Sequence, residues 1–276
     1  MGEEGKVFFF AKKKQKTFGL GVRVRGAAYA LYFYGVTTLF VVVGWPWRVM
    51  CPQRVLPLAR AWAGTVLAGL RPICGITLHI TGREHLPATG PALLASQHQS
   101  AFDTLVWMVQ LARPAYIMKQ ELTRLPLFGS LLVPAGMIAV DRKGGAAALK
   151  RLLLDVTRAR DEDRQIVIFP EGTRVPPGGR VKLQPGIAAI AGRLDLPVLP
   201  VATDSGICWQ RSPLGRTPGI IHIAIGPPIP AYTPRADMLH AIESFWRACE
   251  STGFEPGDNS VDQVALTPGG GAPCTR

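Results

Sequence analysis

From residue 76 onward, short apolar runs alternate with longer segments, and this alternation restricts the possible folds more than any other feature. Several runs are apolar throughout, as in strands that are covered on both faces. The candidate strands are residues 76–81, 92–96, 115–119, 136–140, 165–169, 197–202 and 220–225. The candidate helices are residues 101–112, 121–132, 145–160, 186–194 and 235–250. Strands and helices in alternation predict an α/β domain with a central sheet and helices on both faces.

An uncharged and mostly apolar stretch at residues 26–45 precedes this alternation. It has about the length that spans a bilayer core, and we expect Pro46 to end it beside the interfacial Trp45 and Trp47. A cleaved signal peptide is disfavoured because no small-residue cleavage site follows, and a buried core helix is the alternative. The next apolar segment, residues 55–70, contains a charged arginine and is expected to be half inserted or interfacial rather than a second span.

The charge balance indicates partners that carry negative charge. The 276 residues have a net charge of +12, yet only 18% are charged and the mean hydropathy is +0.18, which favours a globular protein that contacts lipid. Nucleic acid, an anionic membrane and a phosphorylated substrate are candidate partners, and simple solubilisation is the alternative. The densest basic segment, from Lys6 to Arg25, directly precedes the apolar stretch. This position disfavours nucleic acid and places the basic side in the cytoplasm.

The cysteines show no pattern of metal ligands or disulfide partners. They are odd in number and widely spaced, with no C-x-x-C and no histidine nearby in a zinc pattern. The five are Cys51, Cys74, Cys208, Cys249 and Cys274. We expect reduced thiols in a cytosolic compartment, and no metal site.

The segment HQSAFD places a histidine and an aspartate five positions apart, between two apolar runs. Within one helix this spacing would put the two side chains about 140° apart, on different faces. However, SAFD matches a helix capping box with Ser100 as the N-cap and Asp103 at the third helical position, so His98 would approach the helix from a loop. The Asp103 carboxylate could then accept the Nδ1 proton of His98 and leave Nε2 free as a base. A capping box beside an ordinary histidine is the alternative.

Other polar residues follow candidate strands directly. They are Lys119, Arg142, Glu171, Gly172, Thr173 and Arg174. Chemistry in open α/β sheets gathers beyond the carboxyl ends of the strands, and these groups suit a phosphate-bearing polyol. Surface ion pairing is the alternative for the two arginines, but several strand ends with basic residues favour one shared site.

These segments resemble the four motif blocks of the glycerolipid acyltransferases, specifically the bacterial 1-acylglycerol-3-phosphate acyltransferases. HQSAFD resembles the His-x-x-x-x-Asp block, and GMIAVDR resembles the second block with Arg142 at its arginine. FPEGTR resembles the third block residue for residue, and LPVLPVA resembles the fourth. The resemblance covers about residues 70–230. One departure is Gln97, where the family often has asparagine, and it concerns the support of His98 rather than the chemistry.

The resemblance implies an α/β fold: a layered acyltransferase domain with a central mixed sheet flanked by helices, preceded by N-terminal membrane helices. We expect a basic segment at residues 1–25, membrane-associated helices at 26–75, the acyltransferase domain at 76–250 and a flexible tail at 251–276. The expected location is the inner membrane of the cell, with the catalytic domain on the cytoplasmic side.

The resemblance also implies the reaction. His98 would act as general base on the free sn-2 hydroxyl of lysophosphatidic acid, and Asp103 would orient His98 and stabilise its charged form. The hydroxyl oxygen would attack the thioester of acyl-carrier protein or acyl-coenzyme A, which serves as co-substrate, and give phosphatidic acid without a cofactor or metal. The residues expected to hold the glycerol phosphate are Arg142, Glu171 and Arg174, with Gly172, Thr173 and Lys119 assisting.

Three alternatives stay open at this point. The first keeps the chemistry and changes the acceptor to an ornithine-type lysolipid or a lysophospholipid. The second is a lipid hydrolase with Ser100 as nucleophile, which is disfavoured because no G-x-S-x-G occurs. The third is a membrane-tethered binding protein with an inactive site, against which the intact His98 and Asp103 argue.

Overall fold

The computed structural model describes residues 3–126 and 128–254, with side chains from residue 21 onward. The helices in these ranges are α1 (Glu3–Met50), α2 (Val55–Ala68), α3 (Phe102–Gln110), α4 (Gly129–Leu132), α5 (Gly145–Asp161), α6 (Gly186–Leu194), α7 (Ser205–Cys208) and α8 (Arg235–Ser251). The strands are β1 (Ile76–Thr81), β2 (Ala92–Ser96), β3 (Pro114–Lys119), β4 (Ile138–Val140), β5 (Gln165–Ile168), β6 (Val198–Thr203) and β7 (Gly219–Ile225). The expected tail lies outside the described residues from residue 255 on, and so do the side chains of the basic segment before residue 21.

The strands form one mixed sheet in the order β1-β7-β6-β2-β5-β3-β4. All neighbouring pairs are parallel except β6 and β7, which are antiparallel with Ala202 opposite Ala224. The carboxyl ends of β2, β3, β4, β5 and β6 therefore meet at one edge of the sheet. Because a parallel sheet collects its loops at that edge, the polar residues that follow these strands lie there together.

Both faces of the sheet are covered, which explains why the central strands are apolar throughout. On β2, Leu94 belongs to the core beneath α1, α2 and α3, whereas its neighbour Leu93 belongs to the core beneath α5, α6 and α8. On β5, Val167 and Ile166 divide between the two cores in the same way. The prediction of a central mixed sheet with helices on both faces is thus confirmed.

The seven predicted strands are all present, with bounds that differ by at most two residues. The predicted helix at residues 121–132 is wrong, since the chain forms a 3-10 turn at Gln120–Arg124 and the single α-helical turn α4. Pro126 explains the difference. A proline disfavours the helical conformation of the residue before it, and Leu125 is extended, with φ −62° and ψ 130°.

Helix α1 continues through Pro46 to Met50, so the expectation that Pro46 ends the segment is wrong. The fixed φ of proline suits a helix, and the residue costs mainly one backbone hydrogen bond and a local kink. The Gly21–Met50 part of α1 is long and apolar enough to cross a membrane. A long apolar helix before the domain is therefore present, as predicted.

One face of α1 packs against the domain along much of its length. Gly26 lies against the backbone of Leu214, where a Cβ atom would collide, and Gly44 lies against the Leu58 side chain. The opposite face exposes large apolar side chains, among them Leu31, Leu39, Val42 and Val49. Helix α2 packs between α1 and α3. The two N-terminal helices thus form one wall of the domain and present an apolar outer surface.

Candidate active site

His98 and Asp103 form a hydrogen-bonded pair beyond the carboxyl end of β2. The Nδ1 atom of His98 lies 3.3 Å from Oδ2 of Asp103. The same carboxylate oxygen accepts the backbone N–H groups of Gln99 at 2.7 Å and Ser100 at 2.8 Å. Asp103 is 2% exposed, so its position is fixed by contacts from three donors. The carboxylate orients the imidazole and leaves Nε2 without a hydrogen bond in the described part of the chain.

The start of α3 differs by one residue from the predicted capping box. Ala101, rather than Ser100, is the N-cap residue of α3. The Ser100 hydroxyl accepts the backbone N–H of Phe102 at 3.1 Å and donates to the Ser205 hydroxyl at 2.8 Å. Because Ser100 is buried and its hydroxyl is engaged twice, it is poorly placed to act as the nucleophile of a hydrolase.

The FPEGTR segment supports His98 from the side of β5. The imidazole stacks on the Phe169 ring, with 4.2 Å between ring centroids and an angle of 24° between planes. The backbone N–H of His98 donates to Oε2 of Glu171 at 2.6 Å, and its carbonyl oxygen accepts the N–H of Val175 at 2.8 Å. The histidine is therefore held through both its ring and its backbone.

Glu171 is placed behind His98 rather than in front of it. It is buried, and it contacts the His98 backbone and does not line the cavity described below. Burial raises the pKa of Glu171 to about 8, the negative charges of Asp103 and Glu250 add to the rise, and the hydrogen bond from the His98 N–H opposes it. Glu171 was expected to hold the glycerol phosphate, but its side chain contacts the His98 backbone instead of the cavity.

A cavity of about 540 Å³ opens in front of the His98 ring. Five of the six residues expected to hold substrate line it: Lys119, Arg142, Gly172, Thr173 and Arg174. Large apolar side chains line the remainder, including Trp62, Leu105, Met108, Phe128, Leu132 and Met137. The cavity thus combines a basic rim with an apolar interior, and it suits an amphiphile with an anionic head.

Gly172 allows the second and third motif segments to meet. Its φ of +71° lies in the left-handed region, and a Cβ atom would lie 3.1 Å from Nη1 of Arg142. The same Nη1 group donates to the carbonyl oxygen of Gly172. A side chain here would strain the turn and crowd the guanidinium.

Arg211 was not predicted from the sequence, yet it lines the cavity. Its Nη2 group donates to the carbonyl oxygen of Arg174 at 2.7 Å. Arg211 lies in the Trp209–Arg216 hairpin, which is closed by a bridge between these two residues. A basic residue among the turn formers of WQRSPLGR is the only sequence signal, and it does not indicate which surface the hairpin faces.

Gln97 ties the segment that carries His98 to two other elements. Its Oε1 atom accepts the backbone N–H of Thr203 at 3.0 Å, and its Nε2 group donates to Glu250 at 2.9 Å. Arg180 in turn donates to the second oxygen of Glu250 at 2.9 Å. The buried glutamine therefore supports the position of His98, as expected for this departure from the family pattern.

A larger groove of about 760 Å³ lies between β4 and α5 and contains neither His98 nor Asp103. Its arginines are paired with carboxylates, with Arg158 at 3.3 Å and Arg164 at 2.9 Å from Glu162. Such internal pairing leaves little charge for a ligand. We therefore place the site in the cavity at His98 and not in the larger groove.

A small apolar cavity of about 60 Å³ adjoins the site cavity. The two share Trp62, Met108, Phe128, Leu132 and Met137. The small cavity is also lined by Phe40 and Val41 of α1 and by residues of α2. The apolar residues between the two cavities thus lie between the catalytic pair and α1.

Comparison with known proteins agrees with the motif resemblance. The family described as Acyltransferase matches residues 77–204. The 1-acyl-sn-glycerol-3-phosphate acyltransferase of Pseudomonas aeruginosa is 31% identical over 196 residues, which cover 71% of this chain and 74% of that protein. The human 1-acyl-sn-glycerol-3-phosphate acyltransferase alpha is 28% identical over 216 residues, which cover 75% of each.

A solved structure shares the fold. The crystal structure of the 1-acyl-sn-glycerophosphate acyltransferase of Thermotoga maritima superposes with a TM-score of 0.66 over 83% of this chain and 97% of that one, at 19% identity. The sequence matches and the fold agree, and they confirm the resemblance carried by the HQSAFD and FPEGTR segments. This chain belongs to the acyltransferase family.

Proposed function

We propose that this protein transfers an acyl group from acyl-carrier protein or acyl-coenzyme A to the free sn-2 hydroxyl of lysophosphatidic acid, and so makes phosphatidic acid. One observation carries the proposal: the His98–Asp103 pair opens into a cavity with a basic rim and an apolar interior. The names of the relatives from Pseudomonas aeruginosa and human support the choice of acceptor.

The geometry suggests how His98 works. Its Nδ1 is directed to Asp103, so Nε2 is the atom that can remove the proton from the acceptor hydroxyl. The hydroxyl oxygen forms a bond to the thioester carbonyl carbon, and the resulting tetrahedral intermediate expels the thiolate. The imidazolium then returns its proton to the thiolate sulfur. The negative charge of Asp103 stabilises the imidazolium between the two proton transfers.

The charges of the cavity suggest where each substrate lies. The positive rim of the cavity is formed by Lys119, Arg142 and Arg174. It suits the phosphate of the acceptor, because one guanidinium group can bind two oxygens of the same phosphate. The apolar interior of the cavity, with a second apolar cavity beside it near α1, suits an acyl chain. A chain bound there would bring its thioester to the cavity in front of His98.

The N-terminal helices suggest the setting. The exposed apolar face of α1 beside the domain favours attachment to a membrane, where a lysolipid acceptor would be found. We propose the cytoplasmic side of the inner membrane, because basic residues precede the apolar part of α1. Membrane fractionation with protease protection tests this: the domain should be digested only when the cytoplasmic face is accessible.

An acceptor comparison tests the proposed substrate. Purified full-length protein is given one radiolabelled acyl donor and, in separate reactions, lysophosphatidic acid, a lysophospholipid with a larger head group, or an ornithine-type lysolipid. We expect phosphatidic acid as the main product. If another acceptor is acylated and lysophosphatidic acid is not, the proposed substrate is wrong, but the assignment as an acyltransferase stands.

A further inference from the structure

A second basic cavity adjoins the active site on the side of α1. It has a volume of about 170 Å³ and lies between α1 and the Trp209–Arg216 hairpin. Ala30, Phe33 and Tyr34 line it from α1. We call this cavity the α1–hairpin cleft.

The α1–hairpin cleft holds positive charge without a protein counter-charge. Arg174, Arg211 and Arg216 line it, and within the described residues none of them forms a salt bridge. Three guanidinium groups around one small space repel each other, and the cost is greatest at Arg216, which is buried, whereas Arg174 and Arg211 are exposed. An anionic ligand in the cleft would offset this repulsion.

Arg216 gives the cleft a buried and incompletely bonded cation. Arg216 is 7% exposed, and its Nε has no hydrogen-bond partner in the described part of the protein. Its Nη1 group donates only to the carbonyl oxygens of Ser212 and Gly215, at 3.3 and 3.0 Å. The guanidinium stacks on the Trp209 ring at 4.2 Å from the centroid. The residue closes the hairpin, but no carboxylate among the described residues forms a salt bridge with it.

Two residues connect the α1–hairpin cleft to the active site. Arg174 and Arg211 line both the cleft and the cavity in front of His98. Arg211 also donates to the carbonyl oxygen of Arg174 at 2.7 Å, which holds the two residues together. An anion that moved from the cleft to the cavity would therefore stay close to a guanidinium group throughout.

The surroundings indicate a lipid as the carrier of the anion. Tyr34 of α1 lines the cleft and is 62% exposed, and Leu31, about one helical turn before it, is 78% exposed. An acyl chain could lie along this apolar surface while its head group entered the cleft, whose volume suits a head group and not a chain. A soluble phosphate compound would gain nothing from that surface.

We propose that the α1–hairpin cleft is a second anion site, which receives the phosphomonoester head group of the lysolipid acceptor before it reaches His98. The inference rests on the proposed function for the identity of the acceptor. The cleft takes the head group from the membrane side of α1, and the arginines it shares with the active site pass it inward.

Ser212 offers a test that leaves the three arginines of the cleft intact, since loss of the buried Arg216 could unfold the hairpin. Its side chain is exposed and lines the cleft but not the catalytic cavity. Ser212→Glu places a carboxylate beside the three arginines, and Ser212→Gln is the neutral control of equal size. We expect Ser212→Glu to raise the KM for lysophosphatidic acid at least about five-fold relative to Ser212→Gln. The kcat and the KM for the acyl donor should be equal in the two variants.

A binding measurement separates this inference from the proposed function. Fluorescent lysophosphatidic acid is titrated with each full-length variant in detergent, without donor, and its anisotropy gives the Kd. We expect weaker binding by Ser212→Glu than by Ser212→Gln, and displacement by unlabelled lysophosphatidic acid but not by inorganic phosphate. If the wild type binds lysophosphatidic acid in this way but does not transfer an acyl group to it, the proposed function is wrong and the assignment of the cleft stands.

Three results would overturn the assignment of the cleft. The two Ser212 variants could show equal KM and Kd for the acceptor. Ser212→Glu could instead raise the KM of the donor, which would assign the cleft to donor phosphates. Inorganic phosphate could displace the probe as effectively as unlabelled lysophosphatidic acid does, and the cleft would then be a simple phosphate site.

Discussion

The Oε2 atom of Glu171 lies 2.6 Å from the backbone nitrogen of His98, so a carboxyl group of one motif segment supports the histidine of another. The Glu171 side chain is buried and lies near the negative charges of Asp103 and Glu250. A carboxyl group in this place fixes the backbone from which the catalytic imidazole extends. Its contribution is to geometry, and its charge is a cost to the folded state.

The raised pKa of Glu171 predicts how stability depends on pH. Because its pKa is raised to about 8 by burial, the folded protein holds a proton that the unfolded chain has released above its ordinary pKa of about 4.3. The free energy of unfolding should therefore fall as pH rises from about 5 to about 8. Glu171→Gln keeps the acceptor oxygen and removes the titration.

Thermal unfolding in detergent checks this prediction. The difference in Tm between Glu171→Gln and wild type should grow in favour of the variant from about pH 5 to about pH 8. Glu162→Gln is a suitable control, because its arginine partners lower the pKa of Glu162. A difference in Tm that is constant over this range would show that Glu171 does not titrate there.

Asp103→Asn should separate the effect of the negative charge of Asp103 from the effect of its side-chain shape. The variant keeps the size of the side chain but removes the negative charge that stabilises the His98 imidazolium. If the amide nitrogen takes the place of Oδ2, it cannot accept hydrogen bonds from His98 Nδ1 and from the N–H groups of Gln99 and Ser100. We expect kcat/KM to fall at least about 10²-fold. Near-normal kinetics in a folded variant, judged by circular dichroism, would rule out an electrostatic role for Asp103.

Arg174→Ala should act mainly on the acceptor. Arg174 lines the catalytic cavity, and the guanidinium is expected to bind the phosphate of the lysolipid. The KM for lysophosphatidic acid should rise about ten-fold or more, whereas the KM for the acyl donor should change little. Arg193 on α6 is exposed, and Arg193→Ala serves as a control for loss of a positive charge. Equal effects of the two substitutions would contradict the assignment.

Gln97→Ala should destabilise the segment that carries His98. The substitution removes the partners of the Thr203 N–H and of Glu250, and both bonds are buried or partly buried. Each unsatisfied group costs about 1–3 kcal/mol, so Tm should fall by several degrees. Gln120 is exposed, and Gln120→Ala should leave Tm almost unchanged. An unchanged Tm in Gln97→Ala would show that the glutamine is not a structural support.

The strands and the catalytic pair could be predicted because their signals are local. ALLAS and QIVI are short apolar runs between turn formers, and burial on both faces requires such runs. The contact between His98 and Asp103 depends only on a short loop that leads from His98 into α3, where Asp103 lies five residues later. In contrast, the apolar content of residues 121–132 favours a helix, but Pro126 disfavours the helical conformation at Leu125, which is extended.

The positions of Glu171 and Arg211 could not be predicted because they depend on distant packing. The spacing within FPEGTR does not tell which side chain faces the cavity, and Glu171 turns away from it towards the His98 backbone. Arg211 reaches the cavity only because the hairpin closes over the domain and packs against α1 at Gly26. Both facts arise from contacts between residues far apart in the chain.

The central claim is that His98 activates an acceptor hydroxyl for attack on a thioester. The most direct test is thiol release from acyl-coenzyme A and from acyl-carrier protein, with and without lysophosphatidic acid, by wild type and His98→Ala. We predict release that requires the acceptor and falls at least about 10²-fold in His98→Ala. Release without an acceptor, or an unchanged rate in His98→Ala, would contradict the account.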